Sequence, residues 1–106
     1  MKKRIRWNPS PAPGVACHRL YWSVGKAVDY DSDFVELISH TDLILPDDVP
    51  SFPFISGIVE LGITALDRVG NESDMTKRAI FVDFVPPKPH QASLRNIIQY
   101  PYDIRT

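Results

Sequence analysis

Cys17 and His18 stand side by side, and with His40 and His90 they are the complete cysteine and histidine content of the chain. Zinc and haem patterns built on such residues need a second cysteine at fixed spacing, which is absent. On an extended strand, adjacent residues also point to opposite faces, so Cys17 and His18 do not converge on one ion. The same residues with an aspartate make a nucleophile set on paper, but no local signature accompanies them. Asp29, Asp31 and Asp33 alternate like the opening of a calcium loop. Phe34 then takes the place of the tight-turn glycine, and His40 that of the closing bidentate glutamate. These residues imply no metal, no cofactor and no enzyme, and His18 reads as a histidine at the edge of a core.

The charge balance points the same way. Twelve Lys and Arg stand against 13 Asp and Glu in 106 residues, a net charge of -1, which gives no bulk attraction for nucleic acid. A basic cluster, Lys2, Lys3, Arg4 and Arg6, is offset by acidic stretches at 29–36 and 42–48, a mixture suited to a protein partner or simply to solubility. So short a chain buries one core and has little left for a second lobe around a cleft. A single cysteine suits a reducing compartment. Arg6, Asn8 and Pro9 lie where a signal peptide would need its apolar region, and no uncharged apolar run reaches the roughly 18 residues of a membrane span. The expectation is a cytoplasmic protein without a membrane segment.

The elements that position these side chains are short strands. Ile5 and Trp7 alternate with Arg4, Arg6 and Asn8. Residues 18–24 place His18, Leu20, Trp22 and Val24 on one face, with Arg19, Tyr21 and Ser23 on the other. Two modest strands follow at 34–39 and 43–45, and residues 46–57, with three prolines, read as a loop or corner. The clearest alternation puts Val59, Leu61, Ile63 and Ala65 on one face. It ends at the turn Asp67-Arg68-Val69-Gly70-Asn71, where Gly70 and Asn71 are suited to positive φ. Residues 79–85 give a last strand. The pattern predicts an all-β antiparallel sandwich.

Three stretches, in order, resemble a fibronectin type III domain: Ile5-Arg6-Trp7-Asn8-Pro9-Ser10-Pro11, then His18-Arg19-Leu20-Tyr21-Trp22-Ser23, then residues 63–73 with Ala65, Asp67, Gly70, Asn71 and Ser73. The resemblance covers about residues 2–85 and implies an immunoglobulin-like sandwich. It places Trp7 on strand B of the family, residues 20–22 on strand C and residues 65–73 at the end of strand F. His18 stands where the family has a strand-C tyrosine, and Val59 where it has the corner tyrosine. Only Met1 to Lys3 precede the Trp7 strand, so the family's first strand, A, is expected to be missing. An uncovered edge beside strand B is a template for association, and the tail from His90 to Thr106 is the candidate to cover it, in its own chain or in a self-associated neighbour. Asn71-Glu72-Ser73 fits a glycosylation sequon but falls inside the family's turn motif.

Residues 86–89 read as a Pro-rich linker and 90–106 as a C-terminal docking segment. Leu94, Ile97 and Ile98 fall at helical spacing, followed by Tyr100-Pro101-Tyr102, a piece too small to fold alone. The expected function is a non-catalytic protein interaction or assembly module, a homo-oligomer or part of a larger assembly. Its expected contacts are Arg4, Arg6, Leu94, Ile97, Ile98, Tyr100 and Tyr102. The alternative is a carbohydrate- or polymer-binding module of an exported protein, with Tyr21, Trp22, Tyr30, Tyr100 and Tyr102 as a stacking platform.

Overall fold

Alternation with period two yields six strands: β1 (Lys3–Arg6), β2 (Val15–Val24), β3 (Asp33–Leu37), β4 (Asp42–Leu45), β5 (Ser56–Asp67) and β6 (Thr76–Asp83). The computed structural model describes residues 2–85, so the linker and docking segment expected over 86–106 lie outside the described residues. All pairings are antiparallel, β1 with β4 in one sheet and the order β3-β2-β5-β6 in the other. There is no helix among the described residues.

The two sheets share one apolar core. Leu20 and Trp22 enter it from β2, Leu43 and Leu45 from β4, and Val59 and Leu61 from β5. Each lies two positions from its neighbour on the same strand, as a pleated strand requires. Full burial of such side chains contributes about 1.5–3 kcal/mol apiece relative to exposure. The resulting architecture is an open, sandwich-like pair of sheets.

Residues 46–57 do more than turn a corner. Val49 and Phe52 hang from this connection into the core, and Phe52 lies between Trp22 and Phe84 with ring centroids 5.4 and 5.8 Å away. Backbone bonds from Val49 to the Pro46 carbonyl (3.1 Å) and from Phe52 to the Val49 carbonyl (2.9 Å) wind the segment tightly enough to aim both side chains inward.

The 67–71 turn differs in detail from expectation. Gly70 has φ +91°, but Asn71 does not share the left-handed conformation. Asn71 serves instead through hydrogen bonds: its amide N–H and its side-chain amide both donate to the Asp67 carboxylate at 2.9 Å. These bonds hold the Asp67 carboxyl below the usual carboxylate range.

The larger departure lies on the outer face of the four-stranded sheet. Tyr21, on the face opposite Leu20 and Trp22, is fully buried at 0% exposure. Tyr30 and Phe34 pack against its ring at 6.0 and 5.2 Å, and Met75 lies over Gly62, where any Cβ would strike it. Glu72 ties this layer together, accepting hydrogen bonds from the Tyr21 hydroxyl, from Thr64 Oγ1 (2.6 Å) and from Arg19 Nη1 (3.4 Å). Arg19 also grips Glu36 through Nε (2.9 Å) and Nη2 (2.8 Å), with its guanidinium 4.4 Å from the Phe34 ring centroid. A second packed layer thus covers the middle of β2 and β5.

Two outcomes follow from this layer. Glu72→Ala leaves Tyr21, Thr64 and Arg19 without their shared acceptor and is expected to lower stability by about 1–3 kcal/mol in urea denaturation. Burial, and then the bond to Glu72, raise the Tyr21 phenol above its ordinary value. The fold therefore favours the neutral phenol, and this stabilisation is complete below about pH 10 and lost as pH rises through the raised folded value. Tyr21→Phe is expected to flatten the alkaline limb of the stability profile; an unchanged limb would place that dependence elsewhere.

Candidate functional site

Among the described residues, β1 is joined to a neighbouring strand on one side only. Trp7 donates its amide to the Thr41 carbonyl (3.0 Å), and Ile5 lies opposite Leu43 two residues earlier in the same register. Antiparallel ladders alternate, so Lys3, Ile5 and Trp7 direct their backbone groups at β4, while Arg4 and Arg6 direct theirs away from it. No hydrogen bond meets the backbone groups of Arg4 or Arg6 among the described residues.

The opposite edge of this small sheet is treated differently. Ile44 faces Arg4, and its amide likewise points outward, where the Asp48 carboxylate accepts it at 2.7 Å. Its carbonyl accepts the Asp48 amide at 2.8 Å. One residue of the following turn thus closes the β4 edge.

Along the β1 edge runs a groove of about 620 Å³. Ile5 and Trp7 form one wall, and Leu61, Ile63 and Ile80 belong to the other sheet; no β4 residue contributes, which places the groove on the unpaired side of β1. The core-facing positions of β6 show how far it extends. Val82 is completely buried, Ile80 half-buried, and Arg78 and Thr76 exposed. Arg78 pairs with Leu61 in register and so belongs to the core-facing side. The two sheets therefore close at one end of β6 and gape at the other.

The groove is rich in donors and positive charge. Trp7 Nε1 is buried without a hydrogen-bond partner among the described residues, an uncommon state for a buried N–H. Lys3, Arg4, Arg6 and Arg78 all line it. Arg4 is bound to Asp42 at 2.8 Å. Lys3, Arg6 and Arg78 have no acidic partner among the described residues.

Of the site residues read from sequence, Arg4 and Arg6 therefore sit together on the open edge, with Arg6 at the groove's Trp7 side. Leu94, Ile97, Ile98, Tyr100 and Tyr102 lie outside the described residues. Arg78 was missed, although the alternation Thr76, Arg78, Ile80, Val82 carried the signal: a cation in phase with core residues. Starting the last strand at residue 79 hid it.

The other candidates resolve individually. His18 is buried beside Trp7, with ring centroids 6.2 Å apart, and its Nε2 accepts the Ser10 amide at 3.4 Å. Cys17, His18 and His40 all border a shallow hollow of about 440 Å³, but no hydrogen bond joins the thiol to either histidine among the described residues. Burial first, then Glu36, push the Cys17 thiol up, the reverse of what activates a nucleophile. Asp29 Oδ1 accepts the Asp31 amide (2.9 Å) and the Ser32 hydroxyl (3.3 Å), which builds a turn. Among the described residues no group of three His, Cys, Asp or Glu side chains is placed to hold a metal. Tyr21 and Trp22 are buried, so neither presents a face for stacking on a sugar.

Compared with known protein families, with curated proteins and with solved structures, the chain finds no match.

Proposed function

We propose that the chain is a fibronectin type III-like, non-catalytic protein-interaction module that binds an extended polypeptide segment along β1. The family assignment is supported by the motifs at Trp7, residues 20–22 and 65–73, together with the strand order. β1 and β4 would be its strands B and E, and β3-β2-β5-β6 its C′, C, F and G. In that scheme the groove beside β1 is the place of strand A.

One observation carries the functional reading: the unpaired backbone groups of Arg4 and Arg6 beside an apolar groove. A strand edge offers main-chain hydrogen bonds to an added strand, and alternate pockets select its side chains. Segment 90–106 is proposed as a further contact element for assembly, separate from the β1 edge.

Peptides selected against the full chain from a random library test this. They are expected to compete with one another, to slow exchange of the Arg4 and Arg6 amides, and to lose binding when Arg6→Pro removes an outward N–H without touching the β4 ladder. Selected peptides that leave those amides unaffected and bind Arg6→Pro equally well would refute strand addition.

A further inference from the structure

The strand-addition reading leaves open what the added strand is made of, and the groove's chemistry narrows this. Resting on that reading, we infer that the occupant is a segment of another protein in which acidic residues alternate with apolar ones.

The apolar half follows from the walls. A strand laid beside β1 sends every second side chain inward, where Ile5, Ile63 and Ile80 are each only half-buried and lack cover. The acidic half follows from the cations. The intervening side chains lie on the outer face beside Arg4 and Arg6, which are exposed there, and opposite-charge pairs directly across a ladder are favourable. Arg4 already has Asp42, whereas Arg6 has no acidic partner among the described residues. Arg78 is the inward counterpart, on the core-facing side of β6 at the gaping end. Its charge adds to the positive field around the groove without pairing with the inward, apolar positions. The orphan Trp7 N–H adds a donor that a carbonyl or carboxylate can meet.

Charge also decides against this chain as its own occupant. Two β1 edges brought together would set Lys3, Arg4 and Arg6 against their copies, and like charges directly opposite destabilise a ladder. Segment 90–106 contains Arg95 and Arg105 against one acid, Asp103, the wrong balance for a basic groove. The acidic strand β3 is already paired with β2, and its Glu36 is held by Arg19.

The test uses the full chain and three synthetic peptides of about ten residues. They share the same valine and isoleucine positions and carry Glu, Gln or Lys at the alternate ones. Binding is followed by amide NMR in low and high salt. The expected result is that the Glu peptide shifts and protects Arg4 and Arg6. Its Kd should lie at least about tenfold below that of the Gln peptide and rise with salt, while the Lys peptide does not bind. Arg6→Ala should remove most of that difference. Equal affinity for the Glu and Gln peptides overturns the acidic preference while strand addition stands. If no peptide moves these amides, both fail. If they are protected in the free chain, at all concentrations or only at high ones, the occupant is the chain itself or a second copy, and the inference is overturned.

Discussion

A β-strand presents backbone donors and acceptors to both sides, and among the described residues β1 has a partner on one. Everything distinctive about this molecule depends on that asymmetry. Because Ile5 and Trp7 face the core, β1 must remain in the sandwich; because Arg4 and Arg6 turn their amides outward, it cannot be satisfied there by β4 alone. The contrast with β4 shows that the fold can close an edge. Asp48 supplies both a carboxylate and an amide to Ile44 across a single turn. Among the described residues β6 is likewise paired on one side only, with β5, and both sheets border the same groove.

The rest of the structure makes that opening rigid. The core cluster anchored by Leu20, Trp22, Leu45 and Val59 fixes the sheets face to face, and Phe52 braces Trp22 and Phe84 from the crossover. On the far side, the Tyr21, Glu72 and Arg19 network stiffens β2 and β5, the two strands at the centre of the larger sheet. For the proposed strand addition, a site built on such strands would be shaped before its ligand arrives, which reduces the ordering cost of binding.

Much of the fold was legible because alternation is a direct imprint of the pleat. Leu20, Trp22, Val59 and Leu61 identify their own faces, and Arg4 and Arg6 mark the edge by alternating with Ile5 and Trp7. Three features were not legible, for separate physical reasons. Tyr21 alternates onto the face opposite the Leu20 and Trp22 core, and it is the distant Tyr30, Phe34 and Glu72 that cover it there. Val49 and Phe52 sit in a segment whose prolines speak for a corner, and their inward aim comes from local turn bonds without periodicity. Arg78 lies on the core-facing side, a placement that makes sense only once the gap above it is seen.

Amide hydrogen exchange of the full chain at high dilution tests the central claim most directly. An edge open on one side predicts alternation along β1: slow exchange at Ile5 and Trp7, whose amides meet β4, and fast exchange at Arg4 and Arg6. Arg4 and Arg6 exchanging as slowly as Ile5 would contradict the account, because a covered edge leaves no groove to fill.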